Sequence, residues 1–253
     1  MEVKKAIIPV AGLGTRFRPF SEILPKELWP LVDKPVIKYI IEEAISSDIK
    51  RLIFVNRTGK KILAEYLNSL SNFPQVIQKK PLGDGHAILQ AEKLIKREPF
   101  AVLFGDDVVE SKTPCLKQLI TVFKKYKTPV LALYKIPKEK APSYGMVAVK
   151  KIEEKIYQIK DIIEKPSLKE TPSNFAIVGK YILTPDIFNH LKKVKGGIDK
   201  EIRISEALKI ILKTGKTILG LQFEGKWLEC GNKVAYLKSN IYLSKKYLAS
   251  KKI

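Results

Sequence analysis

The chain has 253 residues, 45% apolar and 29% charged, with a formal net charge of +21. That balance predicts a globular protein with a sizeable core and excludes a disordered chain. No apolar stretch reaches the roughly 18 residues that span a bilayer, and MEVKKAIIPVAG lacks a signal-peptide h-region, so a cytoplasmic protein with no membrane partner is expected.

Strand-like runs at residues 6–10, 51–56, 76–78, 100–103 and 130–134 alternate with helical patterns at 36–47, 60–70, 86–95 and 116–125. That order predicts an α/β, Rossmann-like fold: a mixed, mostly parallel central sheet flanked by helices. From about residue 144 strand-like runs dominate, at 146–149, 156–163, 175–183 and 218–223, with helices at 185–191 and 204–212 between them. Residues 233–250 carry Val234, Leu237, Ile241 and Leu248 at helical spacing. Two readings of that stripe stand: it packs the helix on its own domain, or it forms part of a dimer interface. No linker divides the chain, so a single domain over 1–253 is expected, with halves at 1–110 and 111–232 and a C-terminal helix at 233–253.

Basic residues raise nucleic acid as a partner. Only six of the 47 are arginine, however, and the lysines are spread along the chain, often in pairs such as Lys124-Lys125 and Lys245-Lys246. Base readers and phosphate clamps prefer arginine. A solvated lysine-rich surface is the expectation, with no specific nucleic acid. Cys115 and Cys230 have neither metal-ligand spacing nor a disulfide framework and are expected to be structural.

The first motif follows the first strand: Ala11-Gly12-Leu13-Gly14-Thr15-Arg16, then Lys26-Glu27. A strand that ends in glycines lets main-chain N–H groups approach a phosphate. Arg16 and Lys26 add cations over the same anion. A dinucleotide fingerprint is incomplete, because position 17 is Phe, and no GK[ST] follows. Gln78 precedes Pro81-Leu82-Gly83-Asp84-Gly85-His86-Ala87, a turn before a helix. Phe104-Gly105-Asp106-Asp107 follows a core strand, where ligands of open α/β sheets gather. Tyr144-Gly145, Glu164-Lys165-Pro166, Phe175-Ala176-Ile177-Val178-Gly179, Lys200-Glu201-Ile202-Arg203 and Trp227-Leu228-Glu229-Cys230-Gly231 complete the set. Lys165 precedes proline, which favours extended backbone, so Glu164 and Lys165 are expected on opposite sides with one facing a substrate.

Together these motifs resemble those of the sugar-1-phosphate nucleotidyltransferases, and within them the bacterial and archaeal UTP–glucose-1-phosphate uridylyltransferases. The resemblance runs from residue 4 to about 240. It implies transfer of a uridylyl group from UTP to α-D-glucose 1-phosphate, with Mg²⁺ as cofactor and a homo-oligomer, dimer or tetramer. It implies that Ala11, Gly12, Gly14, Thr15, Arg16, Lys26, Gln78, Gly83 and Asp106 bind the nucleotide, Gln78 at the uracil edge. Gly145, Glu164, Lys165, Val178 and Glu201 would bind the sugar phosphate. Arg16, Lys26 and Lys165 would offset charge in the reaction, and Asp106 and Glu229 would hold the metal. The family has Asp where this chain has Glu229, and an apolar residue where it has Asp84. The rival readings are a thymidylyltransferase or an enzyme of another sugar 1-phosphate, a regulatory homologue without a working metal site, and a basic nucleic-acid-binding protein.

Overall fold

The computed structural model describes residues 2–196 and 200–251. In chain order the first part holds β1 (Lys5–Pro9), β2 (Pro30–Leu31), β3 (Lys34–Pro35), α1 (Val36–Ser46), β4 (Arg51–Asn56), α2 (Lys61–Leu70), β5 (Gln75–Ile77), α3 (Asp84–Gln90), α4 (Glu92–Ile95), β6 (Phe100–Leu103), β7 (Asp107–Glu110), α5 (Cys115–Tyr126) and β8 (Val130–Lys135). The second part adds β9 (Gly145–Glu153), β10 (Ile156–Glu164), β11 (Phe175–Leu183), α6 (Ile187–Leu191), α7 (Ile204–Lys213), β12 (Leu219–Gln222), β13 (Lys226–Glu229) and α8 (Lys233–Ser250).

A nine-stranded sheet runs β5-β4-β1-β6-β11-β8-β12-β10-β9. β1 pairs in parallel with β4 and β6, and β12 with β8, while β11 and β10 run against their neighbours. The mixed, mostly parallel sheet expected from the sequence is therefore present. β1 is apolar without alternation because both of its faces are covered. Ala6 and Ile8 join one core, under α1, α2, α5 and α8; Ile7 joins the other, under α3, α4, α6 and α7. Cys115 and Cys230 are free and buried.

The elements depart from the sequence expectations in several places. The helical pattern at 86–95 is two helices that meet at Ala91. β7 and β13 form a separate antiparallel ribbon in which Asp107 faces Glu229 across the ladder. Local periodicity does not reveal it, because each strand has four residues and its partner lies far along the chain. Finally, the apolar stripe of α8 faces outward: Val234, Leu237, Ile241 and Leu248 are exposed. The opposite face docks instead, through Tyr236, Ser239, Tyr242 and Leu243.

Candidate active site

The carboxyl ends of β1 and β6 open into a cleft with two adjoining lobes, of about 400 and 220 Å³. Asp84, Phe104, Asp106, Glu164 and Lys165 line both. Ala11, Gly12, Gly14, Thr15, Lys26, Gln78, Gly83 and Glu201 line the larger lobe; Arg16, Gly145 and Glu229 line the smaller.

The glycine loop of the larger lobe is held from behind. Gly14 has φ 69°, a left-handed conformation that glycine adopts without a side-chain clash. The Ser21 hydroxyl donates to its carbonyl at 2.8 Å. Phe17, which occupies the third glycine position of a dinucleotide fingerprint, is an anchor in the core, edge-on to Trp29 at 4.7 Å. Beneath the loop, the Lys60 ammonium donates to the Val10 carbonyl at 2.7 Å and to both Glu27 oxygens at 2.9 Å. Lys60 and Glu27 are both buried.

Gln78 is buried, and its amide Nε2 donates to the Gly83 carbonyl at 3.0 Å and lies 2.9 Å from His86 Nδ1. Its Oε1 accepts from no described residue, which leaves an acceptor aimed at the lobe. Gly83 has φ 95°, and a Cβ there would stand 2.6 Å from the Ile202 carbonyl oxygen. That crowding comes from residues 201–203, which lie over the turn: Ile202 N–H donates to Leu82 at 2.8 Å and its carbonyl accepts from Gly85 at 2.9 Å. Glu201, expected at the sugar phosphate, lies beside the Leu82–Gly85 turn and pairs with Arg203 at 2.9 Å. Arg203 also lines this lobe and escaped the sequence reading, since it reaches the site through a fold contact with the Leu82–Gly85 turn. Asp84 Oδ1 accepts from Gly85 N–H at 2.6 Å and Ile204 N–H at 2.9 Å, tying α3 to α7. Burial, helped by Glu164 and opposed by these donors, pushes its carboxyl up to about 6.

The acidic centre lies between the lobes. Lys26 is ion-paired with Asp106. Burial works against the Lys26 charge, but Asp106 and Glu27 outweigh it and raise its pKa; burial works against the Asp106 charge too, and Lys26 holds that carboxyl below its ordinary value. Cys230 N–H donates to the Asp106 carbonyl at 2.8 Å, joining β13 to the Asp106 turn. Around Gly231 the side-chain carboxylates converge: a Cβ there would lie 3.2 Å from Asp106 Oδ2 and 3.5 Å from Glu229 Oε1. Glycine keeps that space open. Asp107 points elsewhere, accepting from Trp227 Nε1 at 2.7 Å and Gly179 N–H at 3.1 Å. Burial and then the Asp106 charge push Asp107 up to about 7, against Lys180 and Trp227.

The smaller lobe combines the ends of β9, β10 and β11. Lys165 has φ 46°, in the left-handed region, so the extended backbone expected before Pro166 is not formed. The turn brings both Glu164 and Lys165 to the cleft rather than one of them. Lys165 N–H donates to the Tyr144 carbonyl at 3.0 Å, which fixes this turn. Val178 does not line the cleft: its side chain is buried in the core, and strand alternation turns Ile177 to the lobe instead. Arg16 and Lys165 are exposed at the cleft and form no ion pair with a described residue.

The family model for nucleotidyl transferase matches residues 5–246. A UTP–glucose-1-phosphate uridylyltransferase of Staphylococcus haemolyticus is 37% identical over 95% of this chain and 92% of its own length. One of Bacillus subtilis is 35% identical over 95% and 90%. Among solved structures, a UDP-glucose pyrophosphorylase complexed with UDP-glucose superposes with a TM-score of 0.91 at 38% identity, covering 96% of this chain and 99% of that one. A UTP-bound enzyme of the same name from Acinetobacter baumannii gives 0.83 at 28%, covering 95% and 93%. With glycine loop, Gln78–Gly83 turn and converging carboxylates gathered at one cleft, and with relatives matched over nearly their whole length, this chain belongs to the nucleotidyl transferase family.

Proposed function

We propose that this chain transfers the uridylyl group of UTP to α-D-glucose 1-phosphate, giving UDP-glucose and pyrophosphate. A phosphate oxygen of the sugar phosphate attacks the α-phosphorus of UTP, and the bond from that phosphorus to the pyrophosphate oxygen breaks. The observation that carries the reading is the placement of two cations without an ion pair among the described residues, Arg16 in the smaller lobe and Lys165 in both, beside Asp106 and Glu229. Two polyanions must be held together there against their repulsion, in attack geometry. Positive side chains fixed at the junction do this and stabilise charge that grows on the leaving pyrophosphate.

The glycine loop faces the triphosphate with main-chain N–H groups, and Gln78 Oε1 accepts from the uracil N3–H. Glu164 accepts from sugar hydroxyls while Lys165 pairs with the sugar phosphate. Asp106 and Glu229 fit Mg²⁺: hard oxygen donors converge on an open space at Gly231, and the Lys26 ammonium already marks Asp106 as a cation site. Among the described residues no cluster of three or more His, Cys, Asp or Glu is placed to hold a metal, which suits an ion held by one or two carboxylates plus substrate phosphates. When bound, Mg²⁺ neutralises phosphate oxygens and orients the triphosphate. The convergence of these carboxylates favours a working enzyme over a regulatory homologue.

No helix among the described residues is long and apolar enough to cross a membrane. The cytoplasm, where nucleoside triphosphates are held, is the proposed place of action, and a homo-oligomer the proposed assembly. The test is pyrophosphate release by the purified protein, with UTP, dTTP, ATP, CTP and GTP each against several sugar 1-phosphates. UTP with glucose 1-phosphate is expected to exceed every other pair by at least tenfold. A preference for dTTP, or turnover with no pair, overturns the reading.

A further inference from the structure

Glu229 reaches the acidic centre through two methylenes, so its carboxylate has one rotor more than an aspartate there would have. A longer side chain serves as a ligand when its surroundings fix that rotor. Both of its oxygens are held. Oε2 accepts from the Tyr144 hydroxyl at 2.6 Å, and Oε1 accepts from Asn232 Nδ2 at 3.1 Å. Asn232 is fixed in turn as the N-cap of α8, its Oδ1 accepting from Ala235 N–H at 3.0 Å. Tyr144 is fixed by its ring, which packs edge-on to Trp227 with centroids 5.1 Å apart. Trp227 directs its indole N–H to Asp107, so the aromatic pair orients the two facing carboxylates of the β7–β13 ribbon, one each.

The other end of Tyr144 reaches the opposite side of the site. Its carbonyl accepts from Lys165 N–H, and Lys165 holds its left-handed turn there. One residue, between the short helix at 138–143 and β9, therefore touches the acidic centre with its side chain and the sugar-phosphate lysine with its backbone.

We infer that Tyr144 is a positioning residue that sets Glu229 for the divalent cation, offsetting the freedom of the longer carboxylate. The inference rests on Glu229 being a metal ligand. A carboxylate oxygen has two acceptor positions, so the phenol occupies one on Oε2 and Asn232 one on Oε1, and each oxygen keeps a second, with Oε1 beside Gly231. Removing the hydroxyl leaves Asn232 alone to hold the rotor, without altering charge. Orienting partners of this kind are worth roughly 10- to 100-fold in metal affinity.

The experiment measures Mn²⁺ binding to the full chain by EPR in the presence of UDP-glucose, for wild type, Tyr144→Phe, Glu229→Asp, the double variant and Glu229→Gln. Phenylalanine keeps the ring on Trp227 and the carbonyl on Lys165. Tyr144→Phe is expected to weaken Mn²⁺ about tenfold and to raise the Mg²⁺ needed for half-maximal rate by the same factor. High Mg²⁺ should restore kcat, and KM for glucose 1-phosphate should stay within about twofold, since the backbone contact to Lys165 is intact. Glu229→Asp is too short to reach the phenol, so the double variant should bind Mn²⁺ no worse than Glu229→Asp. Wild-type Mn²⁺ affinity in Tyr144→Phe, with loss in Glu229→Gln, overturns the role of Tyr144 alone. A further tenfold loss in the double variant overturns it as well. Wild-type affinity in Glu229→Gln overturns the metal reading and this inference with it.

Discussion

Lys60 holds a buried carboxylate and a loop carbonyl at once, and its isolation from water sets the cost of losing it. The pair it makes with Glu27 lies under the glycine loop, so removing one partner leaves an uncompensated buried charge. Lys60→Met is expected to destabilise by about 3–5 kcal/mol, read from urea unfolding. Adding Glu27→Leu should recover part of this, because an apolar pair removes both charges; a double variant less stable than Lys60→Met would show that the pair is not coupled. Asp84 gives a pH prediction of known sign. Its folded pKa of about 6 lies above the ordinary carboxylate value. Its contribution is therefore fully present below about pH 4 and is lost as pH rises through 6. Asp84→Asn keeps the oxygen that accepts from Gly85 and Ile204 but never ionises. Its stability relative to wild type should be near zero at pH 4 and about 2–3 kcal/mol favourable at pH 8. An equal offset at both pH values would remove Asp84 as the titrating group. The glycine loop, Gln78, Asp106 and Lys165 were legible as residues, because their motifs are short and contiguous. Arg203 and Asn232 were not, because each enters the site through a fold contact that no local pattern states.

At the scale of elements, hydrophobic period located most strands and helices, since burial writes itself into period 2 or 3.6. It did not show which way β10 and β11 run, nor the β7–β13 ribbon that brings Asp107 to Glu229. Pairing of distant short strands is a tertiary choice, decided by the covering of both sheet faces. α8 shows the limit from the other side: it has apolar residues on two faces, and the sequence alone does not say which one the domain takes. The structure gives the domain Tyr236 and Leu243 and leaves Val234, Leu237, Ile241 and Leu248 to solvent. Val234 and Leu248 are each seven residues from Ile241, so two antiparallel α8 helices crossing at Ile241 would match Val234 to Leu248. Exposed apolar side chains in such a row suit the homo-oligomer proposed above. Ile241→Asp is expected to halve the mass found by sedimentation velocity at micromolar protein while leaving the far-ultraviolet spectrum unchanged. An unchanged mass would place any oligomer contact elsewhere.

For the whole molecule, a charge of +21 acts on the two polyanions of the proposed reaction before any contact forms. Positive potential over a cleft raises the encounter rate of anionic substrates, and salt screens it over roughly 8–10 Å at physiological strength. Many lysines are already balanced by neighbours, as in Lys125–Glu153, Lys192–Glu92 and Lys246–Glu110, whereas Arg16 and Lys165 are not. Arg16 and Lys165 sit at the cleft itself, so part of the attraction felt by substrates is local. Raising KCl from about 20 to 300 mM should therefore lower kcat/KM for UTP several-fold. The kcat at saturating substrate should change less than about twofold, because charges inside the occupied cleft are screened far less than those facing solvent. Duplex DNA provides the control. Lysines spread over a surface bind phosphates without reading bases, so retention on a random duplex should fall steeply and be lost by about 200 mM salt. A kcat/KM indifferent to salt would remove long-range attraction from the account, and tight, sequence-selective DNA binding at 150 mM salt would assign the charge to a second partner.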